Sequence, residues 1–117
     1  MGEELSYYAL EEISSVSDLI QSQNLLALQG QHHITSLRIM HCQNLSNING
    51  IQIALFQNLV DLNLSSNNIE DISQLDVLTL VQDLNLSCNK ITKVSGLKGM
   101  LSTVKKINLS HNRIASL

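Results

Sequence analysis

The sequence predicts an α/β fold: a right-handed solenoid of stacked repeats, with a short parallel sheet on its concave face and a helical cap at its N-terminus. The first observation is an internal repeat, LVDLNLSSNNIEDISQL, VQDLNLSCNKITKVSGL and VKKINLSHNRIASL, which starts at residues 59, 81 and 104. The second is a pair of apolar residues at spacing two, such as Leu62 and Leu64, which point to one side of a short strand. The third is a return of apolar residues at spacing three, from Ile69 to Ile72, which fits a 3₁₀-like arc. Because one copy cannot bury its apolar edge alone, neighbouring copies must stack.

The three copies keep their apolar residues and one asparagine in register. The apolar columns are Leu59/Val81/Val104, Leu62/Leu84/Ile107, Leu64/Leu86/Leu109, Ile69/Ile91/Ile114 and Ile72/Val94/Leu117, and the polar column is Asn67/Asn89/Asn112. Equivalent residues are 22 positions apart between the first two copies and 23 between the last two. An asparagine amide at that position can form hydrogen bonds with backbone groups of the turn, which side-chain packing alone would leave unpaired.

The pattern L-x-x-L-x-L-x-x-N-x-I resembles the leucine-rich repeat over residues 34 to 117. Its spacing is similar to the repeat type of the leucine-rich regulatory subunit of protein phosphatase 1, which centrosomal, ciliary and nuclear scaffold proteins share. The resemblance implies intracellular protein binding, but no phosphatase contacts can be matched to this chain. Two functions follow as expectations. One is an adaptor or regulatory scaffold that binds a protein partner on the concave face, and the other is a structural spacer within a larger multidomain protein.

The composition suits a core of stacked aliphatic side chains. The chain has 117 residues, enough for one modest domain, and is 44% hydrophobic with no proline, no tryptophan and three aromatic residues. No apolar run approaches the ~20 residues of a membrane span, and the acidic start is unlike a secretory signal. The two cysteines give no disulfide framework. We therefore expect an intracellular location, cytoplasmic with the nucleus or cilium as alternatives.

The first 33 residues are predicted to form an N-terminal capping helix and a connector. Apolar residues recur there at helical spacing, which predicts a helix over residues 3 to about 22. They are Leu5, Ala9, Ile13, Val16 and Ile20. Because terminal repeats need caps, we expect this helix to cover the first repeat; the alternative is an amphipathic helix that binds a partner.

The first six residues, MGEELS, match the pattern for N-myristoylation at Gly2. Acidic residues directly after Gly2 disfavour this modification, and no polybasic stretch follows to supply a second membrane anchor. The sequence leaves acylation open, and we expect no membrane partner.

A fourth, less regular copy begins at Ile34. Leu37 and Ile39 occupy its strand positions, and Cys42 takes the asparagine column. The next apolar residue, Leu45, comes one position late, which predicts a one-residue insertion after Cys42. We predict a structural role for Cys42, since a small buried thiol can fill a turn site, and we expect Phe56 to pack inside a wider arc.

The sequence predicts no catalytic, cofactor or metal site. Within the variable positions of the predicted strands, no catalytic acid pair, Ser-His-Asp set or glycine-rich phosphate loop emerges from the sequence. His32 and His33 are adjacent and would point to opposite faces of a strand, so they could not chelate one metal ion together. Cys88, one position before the asparagine column, is predicted to lie at a strand end that faces solvent or the concave side. We therefore do not expect an enzyme.

The variable positions of the strands are predicted to face the concave surface and to contact the partner. The candidate residues are Arg38, Met40, Asp61, Asn63, Asp83, Asn85, Lys105, Lys106, Asn108 and His111. Smaller residues, including Ser65 and Ser87, are predicted to share this surface. The asparagines at 63, 85 and 108 could hydrogen-bond an extended partner, or they could be a product of repeat duplication with no ligand.

Charge divides the chain into two parts. Residues 1 to 83 carry all ten acidic residues and one base, a net charge of −9, whereas residues 84 to 117 carry six bases and no acid, a net charge of +6. The basic part lacks aromatic residues for base stacking, so an acidic protein partner fits better than nucleic acid.

The last copy stops at Leu117, before its return arc, and no polar cap follows. We expect either that the chain continues in a longer protein or that this basic, open end associates with a second copy. Light scattering across salt concentrations tests self-association, and a monomer at every salt concentration would contradict it.

Overall fold

The computed structural model describes residues 3–8, 34–42, 44–46, 57–73, 75–100 and 102–114. Its strands are β1 (Glu3–Tyr8), β2 (Ile34–Met40), β3 (Asp61–Asn63), β4 (Asp83–Asn85) and β5 (Lys106–Asn108). Two 3₁₀ segments connect strands: η1 (Leu75–Val77) follows β3 and η2 (Ser95–Met100) follows β4. The described residues contain no α-helix.

The five strands form one parallel sheet in chain order. Leu37 pairs in register with Leu62, Leu62 with Leu84, and Leu84 with Ile107. This register confirms the alignment of the three copies and of the irregular copy before them. Parallel strands joined by crossovers in this way place equivalent residues of successive repeats side by side.

The core lies behind the sheet and is built from the predicted apolar columns. The buried residues include Leu62, Leu64, Leu84 and Leu86 of the strands and Ile69, Leu75 and Leu78 of the returning arc. Val104, Leu109 and Ile114 of the last copy are only partly buried. The predicted core columns are thus confirmed for the copies that hold β3 and β4, whereas in the last copy Ile107 of β5 is exposed and lies outside the core.

The predicted 3₁₀-like arcs are confirmed. Leu75 N–H donates to Ile72 O at 3.1 Å, and Leu78 N–H donates to Leu75 O at 3.0 Å. These bonds span three residues, so they tighten the chain and return Ile72, Leu75 and Leu78 to one buried edge. Gly99 of η2 lies against Asp76 of η1, because a Cβ atom built on Gly99 would come within 3.0 Å of Asp76 Cβ. Gly99 therefore permits the close approach of neighbouring arcs.

The prediction of a helix over residues 3 to 22 is wrong for Glu3–Tyr8, which form β1 and pair in parallel with β2. Leu5 aligns with Leu37, and Tyr7 aligns with Ile39. Tyrosine favours strands, and pairing with β2 satisfies main-chain groups along the whole segment. The rest of the predicted helix, the connector to residue 33, the paired histidines and Phe56 lie outside the described residues.

The irregular copy has the predicted insertion. Cys42 is fully buried, and its Sγ lies 3.6 Å from Met40 O, in the geometry of a weak S–H donor. Asn68 N–H donates to Leu45 O, just as Lys90 N–H donates to Ile69 O one repeat later. Leu45 is therefore the structural equivalent of Ile69, one residue late with respect to Cys42, and the structural role of Cys42 is confirmed.

Candidate protein-binding face of the sheet

The side chains of the short strands divide between two sides of the sheet. In β3 and β4 the central leucine is buried and its two neighbours are half-buried. Because side chains alternate along a strand, those neighbours lie on the side opposite the core. We call this side the polar face and define it by Arg38, Asp61, Asn63, Asp83, Asn85, Lys106 and Asn108, of which Lys106 and Asn108 are exposed.

Three asparagines form a row across the polar face. Asn63, Asn85 and Asn108 are register partners on β3, β4 and β5. Adjacent strands of a sheet are about 4.8 Å apart, so the row places three amides at regular intervals. We call these residues the amide row.

Each amide of the row also accepts hydrogen bonds from the turn that follows its own strand. The Oδ1 atoms of Asn63, Asn85 and Asn108 accept the backbone N–H of the serine two residues later, each at 3.0 Å. The Oγ atoms of Ser87 and Ser110 donate to the same oxygens at 2.8 Å and 2.7 Å. The oxygen of each amide therefore has a structural role in the turn that follows its strand.

A second row lies two residues earlier on each strand. Asp61 of β3 is the register partner of Asp83, and Asp83 is the register partner of Lys106 on β5. The sheet therefore brings two carboxylates side by side and sets an ammonium group next to them. We call Asp61 and Asp83 the carboxylate pair.

The remaining candidates lie at the margins of this face. Arg38 is the register partner of Asn63, so it extends the amide row onto β2. Met40 ends β2 and is half-buried, Lys105 precedes β5 and is exposed, and His111 lies beyond the end of β5. The structure thus places eight of the ten predicted residues on strands and leaves Lys105 and His111 beside them. Ser65 and Ser87, which were also predicted to share this surface, are buried, with 5% and 9% of their surface exposed.

A column of left-handed residues borders the polar face, and sequence reasoning missed it. His41, Ser66, Cys88 and His111 have φ angles of 60°, 60°, 59° and 57°. Each directly precedes the asparagine column or Cys42, where the chain leaves the strand. Left-handed backbone usually signals glycine, and none of these residues is glycine, so composition gave no hint of it. Cys88 is exposed, as predicted.

A shallow pocket of about 360 Å³ lies away from the sheet, where the chain of two neighbouring repeats enters its arcs. Asp71 and Lys93 are among its lining residues. Asp71 Oδ1 accepts the backbone N–H of Ser73 at 2.9 Å. This bond stabilises the carboxylate and lowers the pKa of Asp71 below its usual value, and a hydrogen bond from the Ser73 side chain lowers it further. Slight desolvation raises the pKa, but this effect is smaller.

Across the part of the chain that the structure describes, no group of three or more His, Cys, Asp or Glu side chains could hold a metal ion. In that same part, no helix has the length and apolar character needed to cross a membrane.

Four residues of the polar face, Asp61, Asn63, Asp83 and Asn85, lie in a segment that matches a family model. A family model of leucine-rich repeats, in two copies, matches residues 57–99. The matched residues include β3, β4, η1 and all of η2 except Met100. Leucine-rich repeats generally mediate protein–protein interaction and are typically non-enzymatic. Neither the curated proteins nor the solved structures gave a match to this chain.

Proposed function

We propose that this chain is an intracellular adaptor or regulatory scaffold module that binds a protein partner on its polar face. The observation that supports this proposal is the contrast between the two sides of the sheet. One side is closed by the leucine core, whereas the amide row lies on the other side, with Asn63 and Asn85 half-buried and Asn108 exposed. An ordered polar surface on a rigid parallel sheet suits recognition rather than chemistry.

In this proposal the stacked repeats form a right-handed solenoid whose concave side is the polar face. The arcs η1 and η2 lie on the far side of the core from the strands, which lets each repeat present its strand residues without obstruction. An intracellular location, in the cytoplasm, nucleus or cilium, agrees with two cysteines that are both free thiols. Imaging of the tagged chain in cells tests this location, and secretion would contradict it.

A capture experiment tests partner binding. The immobilised chain is exposed to cell lysate beside the variant Asp83→Lys, which reverses one charge of the carboxylate pair. The matched control is Asp76→Lys, which makes the same change at an exposed residue of η1, away from the sheet. We expect a stoichiometric partner that Asp83→Lys loses and Asp76→Lys keeps, with circular dichroism showing that both variants are folded.

The second candidate function is a structural spacer segment of a larger ciliary, centrosomal or nuclear protein. The unbroken order of paired strands from β1 to β5 favours it, because a sheet of this kind is a stiff element. This reading predicts no partner for the isolated chain, and capture only when flanking sequence is present. A partner that depends on Asp83 would exclude it.

A further inference from the structure

The outer edge of β5 is open among the residues that the structure describes. No described strand pairs with it, since β5 ends the order of the sheet. Ile107 is 44% exposed, whereas its register partner Leu84 is 1% exposed. Lys105, Lys106 and Asn108 around it are exposed as well. We call residues 105–108 the basic edge, and they leave the leucine column uncovered at this end of the core.

The N–H groups of the last repeat match those that hold each earlier repeat to its successor. Leu64 N–H donates to Asn85 O, and Leu86 N–H donates to Asn108 O one repeat later, both at 2.8 Å. Leu109 is the next residue in this series, and no described residue accepts a hydrogen bond from its N–H. A strand added in parallel beside β5 would supply the missing acceptor.

The carbonyl groups follow the same series. Val60 O accepts the N–H groups of Gln82 and Asp83, and Gln82 O accepts those of Lys105 and Lys106. Lys105 O is the next carbonyl in the series, and within the described part of the chain no N–H donates to it. The edge of β5 is therefore a template for one more parallel strand.

The opposite edge of the sheet is acidic. β1 lies there and begins with Glu3 and Glu4, and no strand of the described ranges pairs with its outer side. Leu5 of β1 shares the register column of Ile107. The neighbouring column runs through the five strands in the order Glu4, Ser36, Asp61, Asp83 and Lys106. The two edges thus carry opposite charges in the same column.

We infer that this chain associates head to tail, with β1 of a second copy added in parallel to the basic edge of β5. Continuing the register sets Glu4 of the second copy beside Lys106, and Leu5 of the second copy beside Ile107. The joint repeats the one between β4 and β5, so it covers the exposed Ile107 and pairs the open backbone groups. This inference goes beyond the proposed function, because it concerns the edges of the sheet and leaves the polar face free.

Charge favours this arrangement over a symmetric one. Residues 1 to 83 carry a net charge of −9, and residues 84 to 117 carry +6. Two basic edges placed together would set lysine against lysine, and two β1 edges would set glutamate against glutamate, which destabilises neighbouring strands. Only the head-to-tail joint brings opposite charges together. Because each added copy leaves one edge of either kind free, we expect a series of oligomers rather than a closed dimer.

Sedimentation velocity of the full chain at several protein concentrations tests the inference. We expect the average mass to rise with concentration at low salt, and added salt to weaken the association. The variant Lys105→Glu/Lys106→Glu should raise the dissociation constant by about tenfold or more, because attraction becomes repulsion. The matched control Lys93→Glu/Lys98→Glu makes the same charge change at exposed residues of the preceding repeat and should associate like the unchanged chain.

The β1 side is tested by Glu3→Lys/Glu4→Lys, which should weaken association by a similar factor. A joint between two basic edges would leave this variant unaffected. Glu70→Lys/Asp76→Lys, at exposed residues outside the strands, is its control. Circular dichroism reports whether each variant is folded. Glu3→Gln/Glu4→Gln only removes the charges, so it provides a milder second variant with a smaller loss.

Mixing the two charge-reversed variants gives the sharpest result. Lys105→Glu/Lys106→Glu has two acidic edges and Glu3→Lys/Glu4→Lys has two basic edges, so each should be monomeric alone. We expect the mixture to form oligomers again, a rescue that a merely structural role of these residues would not produce. A chain that stays monomeric at every concentration, unchanged association of Glu3→Lys/Glu4→Lys, or a mixture without rescue would each overturn the inference.

Discussion

Asn89 Oδ1 accepts the backbone N–H of Ile69, which lies 20 residues earlier in the chain, at 3.0 Å. The Nδ2 atom of the same amide donates to Leu64 O in the preceding repeat and to Leu86 O in its own repeat. Asn112 repeats this arrangement with Ile91 N–H and Leu86 O. One amide thus joins two repeats by hydrogen bonds that main-chain pairing alone does not supply.

Replacing Asn89 by alanine should lower the free energy of unfolding by about 2–4 kcal/mol. The side chain is buried, and its loss leaves the Ile69 N–H and the carbonyls of Leu64 and Leu86 without this partner. Urea denaturation measures the change. Asn112→Ala is the matched control and should cost less, because Asn112 is only half-buried and water can replace its amide. Equal losses for the two variants would contradict this account.

Replacing Leu84 by alanine should destabilise the protein far more than replacing Ile107. The two residues are register partners, yet Leu84 is 1% exposed and Ile107 is 44% exposed. We expect a loss of about 2–5 kcal/mol for Leu84→Ala, because truncation of a buried leucine leaves a cavity. For Ile107→Ala we expect about 1 kcal/mol or less, since most truncated atoms already contact solvent. Thermal and urea unfolding of both variants provide the comparison.

Substitution of Cys88 by glycine should stabilise the fold by about 0.5–1 kcal/mol. Cys88 has a φ angle of 59°, a conformation that costs an ordinary residue roughly 1–2 kcal/mol. Glycine removes this strain, although it loses more chain entropy on folding. Cys88→Val should have the opposite effect, because a β-branched residue tolerates positive φ poorly. A melting temperature that falls for Cys88→Gly would contradict the assignment of strain.

Gly99→Ala should destabilise the contact between the two arcs by about 1–3 kcal/mol. The new Cβ would lie 3.0 Å from Asp76 Cβ and 3.3 Å from Asp76 O. In the double variant Asp76→Gly/Gly99→Ala the closest of these atoms is absent, so part of the loss should be recovered. A double-mutant cycle measures this coupling. If the two substitutions changed the free energy of unfolding additively, the steric contact between the arcs at these two residues would be contradicted.

The repeat pattern predicted the strand register, the buried columns and the arcs because each of these depends on the spacing of apolar residues. β1 was missed because Leu5 belongs to two patterns at once, a helical stripe that continues with Ala9 and a spacing of two with Tyr7. Only the main-chain pairing of β1 with β2 decides between them. The spacing of Leu5 and Tyr7 was the signal that could have identified the strand.

The polar face was predicted residue by residue, but its internal bonding was not. That Asn63 uses its oxygen to close a strand end depends on the backbone path after the strand, which residue spacing does not encode. The left-handed angle at Ser66 was also invisible, since no glycine occurs there. The burial of Ser65 and Ser87 belongs to the same turn, in which the backbone N–H of each serine donates to the preceding asparagine side chain.

The bonds from Asn89 to the preceding repeat have a consequence for how such a chain can change in length. Each repeat that carries this asparagine offers its successor a backbone N–H and a carbonyl in the same positions, so a whole copied unit of 22 residues would find matching contacts on both sides. An insertion of half a unit would leave an amide and a leucine column without counterparts. Tandem duplication of one whole repeat within the gene can therefore add a strand to the sheet in a single step, and the longer chain can still fold.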